Sequence, residues 1–417
     1  MKRKTYKVEA LGCRTNQYEA QAFRDQLSQM GYELAADNET ADLCIVNTCT
    51  VTESADSHSR HLIRQFAKQN PDTQLVVTGC LAERDPDSLR VINGVTQVVS
   101  NKNKETLLND LFPEAEVPEF SIKNFDAHTR AFVKVQDGCN SFCTYCIIPY
   151  VRGRSRSKPI QDILREVREL VESGFKEIVL TGINVGDFDH GGKLADLVRA
   201  VDGIDGVERL RVSSIDPDEI DEDLQDAILN GKKTCHSMHI VLQAGSNVIL
   251  KRMNRKYTRQ LFLETVRRLR SASPQFTVTT DIIVGFPGET EVDFEETLEV
   301  MREVQFAKVH MFPYSDRPRT KAATFPNKVP HDIAKARKAK VLQLSEEMAF
   351  SLRQQYVGQK MKILTEEGKG KDEGHLFGHT ENFLGVLIER GSYTTNQILE
   401  VELVANLPEG LVGRVCA

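Results

Sequence analysis

The sequence predicts an α/β protein with an N-terminal parallel α/β domain, a central partial (βα)6 barrel and a small C-terminal antiparallel β-barrel. Strand-like apolar runs alternate with helical patterns over residues 1–100. Six further strand–helix units then recur at a spacing of about 30 residues, as in parallel barrels. From residue 357 onward, short strands are separated by glycine-rich turns, which is typical of small β-barrels.

The N-terminal domain is predicted to span residues 1–111. Its strands are expected in "TYKVEALGC", "ADLCIVNTC" and "TQLVVTGC", and its helices in "NQYEAQAFRDQLSQMGY" and "SADSHSRHLIRQFAKQN". Because each strand is followed by a helix, the sheet is expected to be parallel. Residues 112–128 combine prolines with scattered charge and are predicted to be a linker.

The central domain is predicted to span residues 129–329. Its strands are expected in "RAFVKVQDG", "KEIVLTG", "ERLRVSSID", "HIVLQAGS", "FTVTTDIIVG" and "AKVHMFPYS". A complete barrel of this kind has eight units, so six predict an open one, with all strand ends at one rim. A basic amphipathic helix over 330–356 connects it to the C-terminal barrel, 357–417.

Composition places the chain in a broad class. It has 417 residues, of which 40% are hydrophobic and 27% charged, and no apolar run approaches the length of a membrane span. The first residues, "MKRKTYKVEALGC", lack the apolar stretch of a signal peptide, so a cytoplasmic protein without membrane contact is expected. The net charge of −6 requires any nucleic-acid contact to come from local basic surface. Nine cysteines, an odd number, indicate metal ligation, catalysis or burial, and not a disulfide framework.

A cysteine triplet with C-x3-C-x2-C spacing lies in "DGCNSFCTYCIIPYVRGRSRS": Cys139, Cys143 and Cys146. A structural zinc site requires four ligands, and no second pair lies nearby, since His236 and His239 are distant in sequence. Thiolates are also the usual ligands of iron–sulfur clusters. Three thiolates on a four-iron cube leave one iron open to the amino and carboxylate groups of S-adenosylmethionine (SAM). Zinc and simple burial remain as alternatives.

At these residues the sequence resembles the radical SAM superfamily. An aromatic residue, Tyr145, precedes the last cysteine, and the strand "RAFVKVQDG" precedes the motif. The resemblance implies a [4Fe-4S] cluster on the triplet, whose one-electron reduction of SAM yields a 5′-deoxyadenosyl radical. The cofactor supplies that chemistry and the protein positions it.

A second set of cysteines lies at the ends of the three N-terminal strands: Cys13, Cys49 and Cys80. The carboxyl ends of parallel strands lie along one sheet edge, so these thiols can converge on a second cluster. Cys44, inside the apolar run "LCIV", is interpreted as a core residue. Cys235 and Cys416 have no partners in sequence and are given no role.

Nearly the whole chain resembles the methylthiotransferase family. The blocks "ALGCRTNQYEA", "NTCTVTESAD" and "VVTGCLAER" are similar to that family's N-terminal domain, and the last sixty or so residues resemble the TRAM domain, an RNA-binding barrel. The resemblance implies two [4Fe-4S] clusters, with Cys13, Cys49 and Cys80 holding the auxiliary one. It implies no catalytic residue beyond the cluster ligands.

The blocks "LGCRTNQYE", "NTCTVTESAD" and "CIIPYVRGRSRS" resemble most closely the branch that acts on threonylcarbamoyl-adenosine in tRNA. We therefore expect a transferase that inserts a methylthio group at C2 of N6-threonylcarbamoyladenosine next to the anticodon. The alternatives within the family act on isopentenyl-adenosine in tRNA or on a ribosomal-protein aspartate. An alternative of another class is a non-catalytic iron–sulfur protein that binds RNA.

Five residues are expected to contact SAM. Gly182 and Asn184, in "TGIN", occupy the place where the superfamily holds the SAM amino group, and the glycine permits close backbone approach. Gln243 and Asp281 are polar residues in apolar strands, as ribose contacts require. Arg255 is expected to pair with the SAM carboxylate. A loop-orienting Asp281 and a solvent-exposed Arg255 are the structural alternatives.

The C-terminal barrel is expected to bind the anticodon loop of tRNA. In "HLFGHTENFLGVLI", Phe377, His379 and Phe383 are candidates for stacking on unpaired bases, with Phe383 equally suited to the barrel core. The connecting helix adds four basic residues that either contact phosphates or form a solvated face: Lys335, Arg337, Lys338 and Lys340. An electron donor such as flavodoxin or ferredoxin is the other expected partner.

Overall fold

The computed structural model describes residues 4–36, 39–125, 129–366 and 374–416. The N-terminal domain is a five-stranded parallel sheet in the order β2-β1-β3-β4-β5. Its strands are β1 (Thr5–Ala10), β2 (Glu33–Leu34), β3 (Leu43–Thr48), β4 (Gln74–Gly79) and β5 (Val95–Val98). Its helices are α1 (Arg14–Gln29), α2 (Glu53–Gln69), α3 (Cys80–Arg84), α4 (Pro86–Arg90) and α5 (Leu107–Leu111).

The three predicted strands form the centre of this sheet, and two short edge strands were not predicted. Every residue of β3 is buried, as expected for a strand covered on both faces. Helix α2 begins at Thr52, whose side chain accepts a hydrogen bond from the Ala55 backbone N–H. Because the central strands are parallel, each ends at the same edge of the sheet. The cysteines lie in the short segments that follow these strand ends.

The central domain is an open half-barrel of six parallel strands, as predicted. Two three-stranded sheets, β10-β9-β6 and β11-β12-β13, are joined by bridges between Leu210 and Thr234 and between Ile215 and Ile240. Strands β6 and β13 form the open edges, and β7 and β8 form a small antiparallel ribbon. The strands are β6 (Arg130–Lys134), β7 (Gln136–Asp137), β8 (Arg156–Ser157), β9 (Glu177–Thr181), β10 (Arg209–Val212), β11 (Ser237–His239), β12 (Thr277–Val284) and β13 (Lys308–Pro313).

Eight helices accompany these strands. They are α6 (Ile148–Val151), α7 (Ile160–Glu172), α8 (Leu194–Asp202), α9 (Glu222–Leu229), α10 (Asn247–Arg252), α11 (Arg259–Ala272), α12 (Glu291–Val304) and α13 (His331–Gln354). Buried apolar residues between the strands and helices such as α7, α8 and α11 make the largest core of the protein. No helix in the described ranges has both the length and the apolar character that a membrane crossing requires.

The fourth barrel strand lies earlier in the chain than predicted: the expected run covered residues 239–246, and the observed strand, Ser237–His239, shares only His239 with it. It ends at His239, so Gln243 lies beyond it and meets β12 only through a single bridge to Ile282. Gln243 has a φ of 64°, a left-handed conformation that interrupts an extended run. The apolar stretch after His239 is therefore buried without continuing as a regular strand.

The C-terminal domain is a closed five-stranded barrel in the order β14-β15-β16-β18-β17. Its pairs are antiparallel except β16 with β18, which is parallel. Its strands are β14 (Lys360–Glu366), β15 (His375–Thr380), β16 (Gly385–Glu389), β17 (Ile398–Leu407) and β18 (Gly410–Val415).

The C-terminal barrel docks where the central strands begin. Arg209, at the start of β10, donates to the backbone carbonyls of His379 and Lys362 at 2.9 and 2.8 Å. Thr277, at the start of β12, donates to the carbonyl of Asn382. The cysteine motif follows the other ends of these strands, so the C-terminal barrel closes the half-barrel at the end opposite to the motif.

Candidate active site

The N-terminal triplet follows three neighbouring strands. Cys13 comes after β1 and caps α1, Cys49 follows β3 directly, and Cys80 follows β4 as the first residue of α3. A Cβ on Gly12, whose φ is +96°, would lie 2.7 Å from Cys49 Sγ. Only glycine allows this close approach, which brings the first two cysteine loops together.

Asn16 ties two of these loops together and was not singled out from the sequence. Its side-chain amide donates to the backbone carbonyls of Leu11, at 2.5 Å, and Thr48, at 3.2 Å. The Cys13 thiol lies 3.9 Å from Asn16 Oδ1. One buried amide therefore fixes the residues next to both Cys13 and Cys49. A polar residue on the buried face of α1 was the available signal.

The thiols of this triplet influence one another electrostatically. Burial raises the pKa of Cys49 to about 12, with smaller contributions from Cys80 and Cys13. Burial also raises the pKa of Cys80, and the neighbouring Cys13 adds to this effect. Thiols in this environment become thiolates only with a strong positive charge beside them, as a bound metal supplies.

The second triplet is held by the loop between β7 and α6. The backbone N–H of Ser141 donates to Cys139 Sγ at 3.4 Å, and Arg255 Nη1 donates to Cys143 Sγ at 2.8 Å. Burial raises the pKa of Cys139, and burial with the neighbouring Cys143 raises that of Cys146.

The donor chemistry of both triplets fits four-iron clusters. No group of three or more Cys, His, Asp or Glu residues in the described ranges is arranged to hold one metal ion. In a four-iron cube each thiolate binds a different iron, so the three sulfurs need not converge on one point.

The two triplets meet across an apolar contact. Cys80 packs with Ile147, Ile148 and Val151 in one buried cluster, and Cys139 and Cys146 pack against the same cluster. Helices α3 and α6 supply these residues, so the helical turn after β4 lies against the helical turn after the second motif. The sequence did not predict how the two cysteine sets would lie relative to each other.

Gly182 and Asn184 lie beside the second triplet, held by Gln136. The Gln136 side-chain oxygen accepts from the backbone N–H groups of Ile183 and Asn184, both at 3.0 Å, and its amide donates to the Gly138 carbonyl at 2.8 Å. A Cβ on Gly182 would lie 2.8 Å from Gln136 Oε1. The predicted SAM loop is thereby connected to the residue before Cys139.

A pair of acidic residues near this loop was also missed. The Asn184 amide donates to Glu219 Oε1 at 2.7 Å. Burial and the neighbouring Asp216 carboxylate raise the pKa of Glu219 to about 7. Both carboxylates lie just after β10 and therefore belong to the same rim as the second triplet.

Arg255 has several hydrogen-bond partners, whereas the side-chain oxygen of Gln243 has none among the described residues. The side chain of Arg255 is buried and bonds to Asp216 as well as to Cys143, and its Nε donates to the Tyr257 hydroxyl at 3.1 Å. It is therefore not a solvent-exposed helix end. The side-chain oxygen of Gln243 is buried and has no hydrogen-bond partner among the described residues, which leaves it available to a ligand.

Asp281 lies inside the half-barrel, part-way along β12. Its Oδ1 is 3.4 Å from His239 Nε2, and His239 Nδ1 is 3.0 Å from the Thr279 hydroxyl. The ring of His310 on β13 lies 5.7 Å from that of His239. These side chains form one polar group on the inner wall of the half-barrel.

A buried network of charges joins the N-terminal and central domains. Arg152 Nη1 donates to Glu19 at 3.0 Å and to Asp137 at 2.7 Å, and Lys104 pairs with the same two carboxylates. Lys134 lies 3.5 Å from Glu19. Burial alone would raise the pKa of Glu19, but Arg152, Lys104 and Lys134 lower it to about 2. Nothing in the local sequence patterns predicted that these distant residues meet.

The aromatic residues expected to stack on RNA bases contribute to domain docking. The rings of His379 and Phe383 lie parallel at 4.5 Å, and the guanidinium groups of Arg211 and Arg130 lie 5.0 and 5.2 Å from the Phe383 ring. Both arginines belong to the central domain. Of the basic residues on α13, Arg337 is buried and pairs with Glu289 and Glu291.

Comparisons with known protein families agree with this architecture. The profile of the Radical SAM superfamily matches residues 133–301, and that of Uncharacterized protein family UPF0004 matches residues 5–100. In solved structures, the methyltransferase TsrM from Kitasatospora setae aligns with a TM-score of 0.58 at 14% identity, over 78% of this chain and 74% of that one. OxsB aligns with a TM-score of 0.52 at 11% identity, over 84% and 58%. These structures support the fold.

Three curated proteins are similar over most of the chain. The threonylcarbamoyladenosine tRNA methylthiotransferase MtaB of Chlamydia pneumoniae is 47% identical over 99% of this chain and 98% of its own length. The MtaB of Bacillus subtilis is 36% identical over 96% and 94%. The tRNA-2-methylthio-N(6)-dimethylallyladenosine synthase of Alkaliphilus oremlandii is 35% identical over 91% and 86%. The resemblance inferred from the cysteine blocks is confirmed: the chain belongs to the radical SAM methylthiotransferase family.

Proposed function

We propose that this protein is a tRNA methylthiotransferase that adds a methylthio group at C2 of N6-threonylcarbamoyladenosine next to the anticodon. The observation that carries the proposal is the contact between the two cysteine triplets across Cys80, Ile147 and Val151. The 47% identity to the MtaB of Chlamydia pneumoniae, over almost the full length of both chains, supports this substrate.

Membership of the radical SAM family implies SAM and one [4Fe-4S] cluster. Its ligands are proposed to be Cys139, Cys143 and Cys146. A second [4Fe-4S] cluster, carrying the sulfur to be delivered, is proposed on the N-terminal triplet of Cys13, Cys49 and Cys80. When bound, these groups supply a 5′-deoxyadenosyl radical, a sulfur atom and, from a second SAM, a methyl group. An aromatic C2–H bond is poorly activated toward ionic substitution, which favours radical chemistry.

The protein's contribution is to bind and orient. Gly182 and Asn184 are proposed to hold the SAM amino group, with Gln136 keeping their backbone in place through two hydrogen bonds. The unpartnered oxygen of Gln243 is suited to a hydrogen-bond donor of SAM. Arg255 is proposed to bind the SAM carboxylate with the N–H groups that Asp216, Cys143 and Tyr257 leave free.

Asp281 remains a candidate ribose contact, but its pairing with His239 inside the half-barrel suits a second role toward the base. The apolar side chains of Ile147, Ile148 and Val151 exclude water from between the triplets. Excluding water from an active site limits side reactions of reactive groups.

The tRNA is the substrate implied by the family, and we propose that its anticodon loop enters the open side of the half-barrel. The C-terminal barrel is proposed to bind more distant parts of the RNA through its exposed surface. Flavodoxin or ferredoxin is the proposed type of electron donor. Free cysteines throughout the described ranges and a tRNA substrate are both compatible with a cytoplasmic protein.

The test is an anaerobic reaction of the reconstituted full chain with SAM, reductant and one of three substrates. These are tRNA with threonylcarbamoyl-adenosine, tRNA with isopentenyl-adenosine, and the ribosomal protein with the target aspartate. Mass spectrometry of the digested products should show a methylthio adduct on threonylcarbamoyl-adenosine. A product found only on one of the other two substrates would contradict the proposal. The tRNA with isopentenyl-adenosine is included because of the similarity to the Alkaliphilus oremlandii synthase. RNA binding without any product would favour the non-catalytic alternative.

A further inference from the structure

Arg14 directs a positive charge from the N-terminal domain into the half-barrel. It is the residue after Cys13 and the first residue of α1. Its guanidinium lies 5.3 Å from the ring centre of Phe132 on β6, and its Nη1 donates to the hydroxyl of Ser213, just after β10, at 3.3 Å. Arg14 therefore spans the gap between the auxiliary triplet and the inner wall of the half-barrel.

This guanidinium has no ion-pair partner among the described residues. Two carboxylates act on it electrostatically but bond elsewhere, since Glu177 accepts from Arg211 Nε at 2.6 Å and Asp281 lies 3.4 Å from His239. An arginine has five N–H donors and no acceptor, and Arg14 uses one donor, on a neutral hydroxyl.

Arg14 lies among charges of both signs. A guanidinium is a cation at neutral pH, and it interacts here with the positive Arg130 and Arg211 as well as with the negative Glu177 and Asp281. A half-buried cation beside other cations, with most of its donors unused, favours a ligand that carries negative charge.

We propose that Arg14 binds the carboxylate of the threonyl group on the substrate base, and that it selects this substrate over an uncharged N6 substituent. The inference rests on the proposed function. N6 is attached to C6, and C6 and C2 flank the same ring nitrogen, N1. A substituent on N6 therefore extends from the same side of the base as the reacting carbon. An arginine next to Cys13 is placed to hold that substituent while C2 faces the auxiliary triplet.

The opposite wall of the half-barrel also favours a threonylcarbamoyl substituent. The polar group formed by His239, Thr279, Asp281 and His310 offers hydrogen bonds to the threonyl hydroxyl and the carbamoyl N–H groups. An isopentenyl group has no atom to satisfy these partners, and leaving them unpaired would disfavour it.

The experiment uses two synthetic anticodon stem–loops that carry N6-threonylcarbamoyladenosine either as the free acid or as its methyl ester. The ester removes the charge and retains the rest of the base. For the wild-type, cluster-reconstituted chain, kcat/KM and affinity should favour the acid by about 10- to 100-fold, as expected for a charge-assisted hydrogen bond. For Arg14→Gln, the acid and ester should differ by less than about twofold. Dissociation constants from fluorescence anisotropy provide a readout that is independent of turnover.

Arg24→Gln is the matched control, because Arg24 lies on the same helix and donates to the Val8 carbonyl, away from the half-barrel. Its acid-to-ester ratio should equal that of the wild-type chain. Should Arg14→Gln fail to fold, Arg14→Met is used in its place, because it retains an aliphatic side chain over Phe132. Its acid and ester substrates should likewise differ by less than about twofold.

An unchanged acid-to-ester ratio in the Arg14 variants would overturn the inference. Equal losses on both RNAs would instead assign Arg14 to an RNA phosphate, and a raised KM for SAM with an unchanged ratio would assign it to the SAM carboxylate. Failure of the wild-type chain to modify threonylcarbamoyl-adenosine at all would contradict the proposed function itself, and is thus distinguishable from failure of the inference.

Discussion

The guanidinium of Arg152 donates to Asp137 at 2.7 Å and also bonds to Asn16, so that one side chain connects the loops of both cysteine triplets. Asp137 in turn accepts from the backbone N–H of Gly138, the residue before Cys139, at 2.8 Å. Asn16 holds the residues next to Cys13 and Cys49. Arg152 also pairs with Glu19 of the N-terminal domain at 3.0 Å, so the relative position of the triplets depends on this buried arginine.

Replacing Arg152 with Met should destabilise the protein by about 3–5 kcal/mol, because the change leaves Asp137 and Glu19 buried without a main partner. Urea unfolding of the wild-type and variant chains measures the difference. Arg156→Gln is the control, since Arg156 is 59% exposed and lies 3.8 Å from the same Asp137. It should change stability by less than about 0.5 kcal/mol. Equal effects of the two substitutions would contradict this role for Arg152.

The charge of Glu19 should make stability depend on pH in the acid range. Its pKa is lowered to about 2 in the folded chain, against about 4.3 for a free side chain. Its ionisation therefore stabilises the fold above about pH 4.3, and this contribution is lost as the pH falls toward 2. Glu19→Gln should be less stable than wild type at pH 7, with a gap that narrows steadily below pH 4.3. Urea midpoints at pH 7, 4 and 3 test this, and a gap independent of pH would refute it.

The two triplets should bind iron independently. After anaerobic reconstitution the wild-type chain should contain about eight iron atoms, as expected for two four-iron clusters. Changing Cys139, Cys143 and Cys146 to Ala should leave about half, and so should changing Cys13, Cys49 and Cys80. Cys44→Ala is the control, because Cys44 is buried in the core of the N-terminal domain and should not affect the iron content. Full iron content in either triple variant would disprove the corresponding ligand assignment.

Phe383→Ala should weaken domain docking more than RNA binding. The ring packs against His379 and lies beneath two arginines of the central domain, so its loss should cost about 1–3 kcal/mol of stability. Thermal unfolding measures this cost, and filter binding of tRNA at two salt concentrations measures the affinity. An RNA affinity that falls while stability is unchanged would restore the base-stacking role.

The cysteine blocks and the strand–helix alternation were sufficient to predict the family and the open barrel, whereas the two cluster sites stay predictions. Local chemistry explains why these features could be predicted. Motif cysteines lie within a few residues of one another, and strand ends of a parallel sheet share one edge whatever the details of packing. The resemblance to the radical SAM superfamily predicted that Gly182 and Asn184 contact SAM; the structure places them beside the second triplet, and their role stays a prediction.

Only the tertiary structure decided which distant surfaces meet. Glu19 and Lys104 are 85 positions apart, and nothing in either local pattern indicates that they share one buried charge network with Arg152. The docking of Phe383 and the direction of Arg14 into the half-barrel likewise depend on the packing of whole domains. Periodicity and spacing report the environment of a residue along its own element, whereas a partner from another element is determined by how the folded domains fit together. The sequence by itself therefore determined which cysteine motifs this protein has, and the tertiary structure determined which charged side chains surround them.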